Sequence, residues 1–206
     1  MNPTDTVRRR LSAAARRERI EAAAIEVFAA RGYDATALGE IARAAGVTRT
    51  VLYDHFRSKR ELYLHVLETQ SDAMLAAVRS GIIGTGAGPA RLRSTIAAYL
   101  DFTARHPAAR RLLLDPVPSG DLELDAAIAA YRELRSSAVA TMLAPDLARS
   151  GVADGTAASA VIVALLITGI DGVTRWWQDH PDVALDEVTD IAARLLWSGL
   201  PRLDQG

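Results

Sequence analysis

Residues 36–62 read T-A-L-G-E-I-A-R-A-A-G-V-T-R-T-V-L-Y-D-H-F-R-S-K-R-E-L, and this stretch decides the fold. Leu38, Ile41, Ala42 and Ala45 recur at helical spacing, and Gly46 ends the run. Thr48 then opens a short helix to about Phe56, with Val47, Leu52 and Phe56 facing inward. Ser58 with Glu61 three residues on is a capping box for the next helix. Two short helices joined by a glycine turn hold one of them at a fixed angle, projecting from the surface. That is the helix-turn-helix geometry, and it points to DNA.

Outward from this stretch, almost everything reads as helix, and no run alternates as a strand would. Residues 12–31 form a first helix with Ile20, Ala24, Val27 and Phe28 on one face, stopped by Gly32. Thr36 reads as the N-cap of the second helix, with Glu40 near its first turn. A fourth helix runs from Ser58 to about Arg79. Gly81-Ile-Ile-Gly-Thr-Gly-Ala-Gly-Pro89 cannot propagate a helix and reads as a linker. Helical segments follow at about 90–105, 108–114, 122–143, 154–179 and 184–198. Their stops are Pro107, Pro116, Pro145, Pro181, and Gly199 with Pro201. The expectation is an all-α chain of about nine helices.

The chain has 206 residues and is half apolar, enough for a substantial core. With no cysteine, disulfides and Cys-ligated metal sites are excluded. The arginines near the start are followed by no apolar h-region, so a secretory signal is not expected, and the expected location is the cytoplasm. The uncharged run Gly155–Ile170 is too short for a comfortable membrane span, and Asp171 closes it. A helix buried against a partner explains it better. Charge is lopsided: residues 1–60 carry a net +5 and residues 61–206 a net −6. The basic part coincides with the helix-turn-helix, where phosphates would need neutralising.

Enzymatic readings find little support. His55, His65, His106 and His180 fall on separate segments, none at metal-ligand spacing to another. Asp121, Glu123 and Asp125 mimic the start of a calcium loop, but Ala126 and Arg132 stand where it needs Gly and Glu. Gly84-Thr-Gly-Ala-Gly88 lacks the Lys-Ser/Thr of a phosphate loop. No catalytic residue, cofactor or metal is expected.

Phe28, Ala29, Gly32-Tyr33, Thr36, Ile41-Ala42, Ala45-Gly46-Val47-Thr48, Leu52-Tyr53, His55-Phe56, Ser58-Lys59 and Leu62 resemble the N-terminal domain of the TetR (tetracycline-repressor-like) family. The likeness spans about residues 16–66 without gaps. It implies a DNA-contacting set of Thr36, Thr48, Arg49, Thr50, Val51, Tyr53, Asp54, His55 and Lys59. Thr36 and Thr48 sit at helix N-termini, where exposed amides favour phosphate. Arg49 is placed for a bidentate bond to guanine, Val51 for a thymine methyl, and Asp54 for cytosine N4 or for repelling phosphate. Tyr53 and His55 match family contact positions. Lys59, a cation in a first helical turn, opposes the dipole and calls for a phosphate. Two positions depart from the family pattern: Thr50 replaces a frequent Gly, and Gly39 replaces a residue that often reaches DNA. Arg8, Arg9, Arg10, Arg16, Arg17 and Arg19 read either as a minor-groove arm or as a disordered charged tail.

The resemblance further implies three parts: a basic flexible arm over 1–12, a helix-turn-helix domain over 13–60, and a ligand-binding and dimerisation domain over 61–206. Its pocket candidates are Tyr99, Phe102, Leu113, Tyr131, Arg135, Met142, Thr168 and Trp176, with Leu134, Leu166, Asp101, Arg105 and Asp171 behind them. The scarcity of aromatics argues against a stacked multi-ring ligand. The last two long helices are expected to pair across a dimer through Val161, Leu165, Gly172, Val188 and Leu195. The expected function is a homodimeric repressor on a palindromic operator, released by a small apolar or amphipathic molecule. The alternatives are a DNA-bound architectural or protein-interaction factor, and an all-helical carrier or enzyme with a vestigial reader.

Overall fold

A computed structural model describes residues 12–83, 85–86, 88–115 and 120–199. Of the arm expected over 1–12, with Arg8, Arg9 and Arg10, all but Ser12 lies outside the described residues. Among the described residues there are nine helices and no strand: α1 Ala13–Arg31, α2 Leu38–Ala45, α3 Arg49–His55, α4 Lys59–Gly81, α5 Pro89–Arg105, α6 Pro107–Leu114, α7 Leu122–Arg149, α8 Ala157–Gln178 and α9 Leu185–Gly199. The chain divides into two compact units, Met1–Val66 and Leu67–Gly206, with the boundary inside α4.

In the first unit, the turns are made where the sequence supplies caps. The Ser12 hydroxyl accepts from Ala15 N, and Gly32 closes α1 at φ 74°. Gly46 turns the chain between α2 and α3 at φ 67°, a left-handed geometry that glycine adopts without a Cβ penalty. Ile20, Ile41, Leu52, Leu62 and Val66 are fully buried and form the core with Phe28 and Phe56. Tyr63 meets the Phe28 and Tyr33 rings edge-on at 4.9 and 5.1 Å.

The second unit buries apolar faces of α5 and α9 against each other, with Leu92, Ile96 and Leu100 on Val188, Ala192 and Ala193. Leu143 and Leu147 of α7 meet Ile162, Val163 and Leu166 of α8. Pro89 and Pro107 occupy the first turns of α5 and α6, where a missing N–H costs no bond.

One helix end differs from the sequence reading. Pro145 does not stop α7, which runs on to Arg149. The turn beyond the proline is held by tertiary anchors: Leu143 and Leu147 are buried, and Asp146 is 5% exposed. Asp146 Oδ1 accepts from Gly88 N at 2.6 Å, and Oδ2 lies 3.4 Å from Arg91 Nε. These outweigh the local cost of a helical proline. Asp121 is the N-cap of α7, accepting from Glu123 N and Leu124 N.

Candidate nucleic-acid interface and effector cavity

On α3 the Thr48 Oγ1 accepts from Val51 N at 3.3 Å, so this threonine caps the helix as expected. Leu52 and Phe56 point into the core. Arg49, Thr50, Tyr53 and Asp54 are exposed, while Val51 and His55 are half-buried. Tyr53 is 51% exposed, so about half of it is open to solvent. Three arginines flank this face without an ion pair among the described residues: Arg19, Arg43 and Arg49. Two lie over glycines. A Cβ on Gly39 would stand 2.9 Å from Arg49 Nε, and one on Gly46 would stand 2.8 Å from Arg19 Nη2.

Two residues expected to meet phosphate are placed differently. Thr36 is 3% exposed, and its hydroxyl donates to Gly32 O at 2.7 Å. It closes the end of α1, and Ala37 takes the N-cap position of α2, its N–H donating to Glu40 Oε2. Lys59 donates to Tyr33 O, Asp34 O and Thr36 O at 2.9, 3.3 and 3.1 Å, and its ammonium sits 4.3 Å from the Tyr33 ring centre. An ammonium has three donors, and all three are engaged. The cation that opposes the α4 dipole is therefore balanced by carbonyls of the α1–α2 connection. Sequence spacing alone could not reveal this, because Lys59 reaches back more than twenty residues.

Of the arginines read as an arm, Arg16, Arg17 and Arg19 lie on α1. Arg17 caps the Phe56 ring at 4.5 Å and pairs with Glu21, which also bonds His65 Nε2 at 2.7 Å. This cluster ties the end of α3 to α1 and α4.

The second unit encloses a cavity among α4, α5, α7 and α8. The cavity volume is about 80 Å³, within a space of about 630 Å³ that counts the part open to solvent. Tyr99, Arg135 and Met142 line it, as expected, together with Asp171 and Leu166. Apart from Thr95 the rest of the lining is aliphatic, including Met74, Val78, Leu92, Ile96, Val139 and Ile170. Sequence reasoning missed these residues because an aliphatic side chain on an amphipathic helix has the same periodicity in a core as in a cavity wall. Leu113 and Tyr131 line a neighbouring hollow that shares Arg135.

Three pocket candidates lie elsewhere. Phe102 is buried with Met74 and Ala109. Thr168 is exposed on the far side of α8. Trp176 is 47% exposed and stacks on His180 at 4.3 Å.

The polar end of the cavity is a compensated trio. The Tyr99 hydroxyl donates to Asp171 Oδ1 at 2.5 Å, and Arg135 Nη2 donates to Oδ2 at 3.0 Å. Burial, then the Asp171 charge, pushes the Tyr99 phenol far above its ordinary value. Among the described residues Arg135 Nε is buried without a hydrogen-bond partner.

The outer face of α8 and α9 is apolar and open. Val161, Leu165 and Leu195 are 56, 65 and 72% exposed, and nothing crowds Gly172. Val161, Leu165 and Leu195 line a shallow groove with Ile162 and Leu196. Val188 does not belong to this face: it is 4% exposed, packed within its own unit against α5. By length and composition α8 could cross a membrane, yet it buries Ser159, Asp171 and Thr174 inside the fold. Among the described residues no cluster of His, Asp or Glu could hold a metal.

Residues 20–66 match the bacterial regulatory proteins of the tetR family, and residues 89–199 match the tetracyclin repressor-like C-terminal domain. The HTH-type transcriptional activator FasR of Mycolicibacterium smegmatis is 30% identical over 185 residues, covering 90% of this chain and 83% of FasR. The fatty acid degradation regulator FadR from Bacillus halodurans superposes with a TM-score of 0.76 at 18% identity, over 90% of this chain and 96% of that one. The transcriptional regulator FadR from Bacillus subtilis, in complex with stearoyl-CoA, superposes with a TM-score of 0.75 at 19% identity, over 88% and 98%. At such identities the two structures speak for the fold alone.

Proposed function

This chain belongs to the tetR family of bacterial regulatory proteins, and from that premise we propose that it acts as a cytoplasmic homodimer on a palindromic operator, under the control of an acyl-chain ligand. The observation that carries the ligand class is the cavity of the second unit: a long aliphatic lining with one polar end at Arg135, Asp171 and Tyr99. Such walls suit a flexible hydrocarbon chain, whose burial is favourable by ~25 cal/mol per Å². Among the described lining residues Tyr99 is the one aromatic ring, too few for a sandwich around a planar multi-ring ligand. The stearoyl-CoA bound to the Bacillus subtilis FadR supports the same class.

Recognition falls to Arg49, Thr50, Val51, Tyr53, Asp54 and His55, with Thr48 holding the start of α3. The open strip of Val161, Leu165, Gly172 and Leu195 suits a second copy of the chain, which would set two recognition helices about one DNA turn apart, ~34 Å. In the repressor reading, ligand binds the state with misplaced recognition helices better and shifts the population off DNA. FasR is a transcriptional activator, and that likeness favours a second reading in which the DNA-bound dimer promotes transcription. A reporter gene behind the operator separates the two by the sign of its response to deletion of the regulator.

The test is a thermal-shift series with palmitoyl-CoA, palmitate and coenzyme A alone. Palmitoyl-CoA at a hundredfold excess over its dissociation constant should stabilise the fold by about 2.7 kcal/mol, and should change operator binding in fluorescence anisotropy. If no acyl compound moves the melting temperature, the proposed ligand class is wrong.

A further inference from the structure

We infer that Gly39 is a specificity-determining position of the DNA reader: its missing side chain seats the Arg49 guanidinium against α2 and so decides which base edge Arg49 meets. The inference rests on the reading of α3 as the recognition helix. The contact itself is direct. A Cβ on Gly39 would stand 2.9, 3.1 and 3.2 Å from Nε, Nη2 and Cζ of Arg49. The first of these distances is closer than real Cβ contacts come, so the guanidinium occupies space that any other residue at position 39 would claim.

The surrounding charges leave Arg49 free. The nearest acid on α2 is Glu40, and both its oxygens are engaged, Oε1 by Arg31 and Oε2 by Ala37 N. Among the described residues Arg49 has no hydrogen bond or ion pair, and it is exposed. A shallow hollow lies beside it, lined by Ala37, Gly39, Glu40, Arg43, Val47 and Arg49. Arg49 is thus held by shape rather than by a counter-charge, with Nε and Nη2 lying against Gly39. A bidentate guanidinium reads guanine O6 and N7 with tight geometric demands, so a shift of the group changes the base it reads.

The clash at Gly39 falls on the far end of a flexible side chain. Gly39 also has no left-handed φ that an alanine would strain. Gly39→Ala should therefore fold at least as well as the parent while moving Arg49.

The experiment is selection of binding sites from a random duplex library by the full chain, for the parent, Gly39→Ala, Arg49→Ala and the double variant, with melting temperatures alongside. The parent should enrich guanine at one position of each half-site. Gly39→Ala should lower that enrichment on the order of tenfold, with an unchanged melting temperature and unchanged preference elsewhere in the half-site. Arg49→Ala should abolish it, and adding Gly39→Ala to Arg49→Ala should change nothing further. Gly39→Ser serves as the second displacing variant should alanine prove unstable. Identical preferences for the parent and both Gly39 variants, with Arg49→Ala altered, would overturn the role of Gly39. An Arg49→Ala preference equal to the parent's would overturn it as well. If the parent itself enriches no sequence, the reading of α3 as a recognition helix fails instead.

Discussion

Lys59 shows how a single residue can carry the look of a DNA contact and serve the fold. Its ammonium bonds Tyr33 O, Asp34 O and Thr36 O, closing the connection between α1 and α2 from the start of α4. Hydrogen bonds to a charged donor contribute more than neutral ones, and this donor is part-buried over an aromatic ring. Lys59→Met should lower the unfolding free energy by about 1–3 kcal/mol in urea titrations. It should leave the salt dependence of DNA affinity unchanged. A lysine bound to phosphate would instead flatten the slope of log K against log salt by ~0.9 when removed. A flattened slope with intact stability would return Lys59 to the DNA interface. Thr36 belongs to the same device, since its buried hydroxyl closes α1 through Gly32 O.

At the scale of elements, α5, α7 and α8 are cross-linked at one point, Asp171, which accepts from Tyr99 and Arg135. Folding raises the Tyr99 phenol above its ordinary value, first through burial and then through the Asp171 charge. Above pH ~10 the unfolded chain loses a proton that the folded chain keeps. The stabilisation from this group is therefore intact below pH 10 and is lost as pH climbs toward the folded value, by up to about 1.4 kcal/mol per unit. Tyr99→Phe lacks the hydrogen bond and should be less stable at pH 8 by about 1–2 kcal/mol. The gap to the parent should narrow above pH 10, as read from urea unfolding at stepped pH. A constant gap would mean that Tyr99 ionises normally in the folded state. Element ends obey the same tertiary control: α7 passes through Pro145 because buried Asp146 is anchored to Gly88 N and Arg91.

For the whole molecule, the question is which apolar surface the chain leaves for a partner. Leu165 and Leu195 are largely exposed on the strip of α8 and α9, whereas Val188, though on α9, is core. A charge on the exposed strip has no folded-state neighbour to offend in one chain, but it would be buried and unpaired between two copies. Leu165→Glu with Leu195→Glu should halve the mass in sedimentation equilibrium and weaken operator binding by about tenfold or more, with the helical signal retained. Val188→Ala should do the opposite, costing stability and leaving the mass unchanged. A double glutamate variant that sediments as the parent does would place the partner surface elsewhere.

The sequence by itself determined the all-helical character, the nine segments and the helix-turn-helix at residues 36–62. These rest on local signals: helical periodicity, caps at Thr48 and Ser58, and glycines at 32 and 46, where the backbone turns left-handed. It also made the exposure of Arg49, Thr50, Tyr53 and Asp54 legible, because α3 is short and its buried face is marked by Leu52 and Phe56. Tertiary structure alone decided what Lys59 and Thr36 bond, that α7 continues past Pro145, that Val188 faces inward, and which aliphatic side chains wall the cavity. Apart from Thr36, whose acceptor Gly32 O is four residues away, the deciding partner is distant in sequence, and periodicity records only that a face is apolar, not what it packs against. The same holds for Gly39: in the sequence it is a missing side chain, and in the fold it is the space that Arg49 occupies.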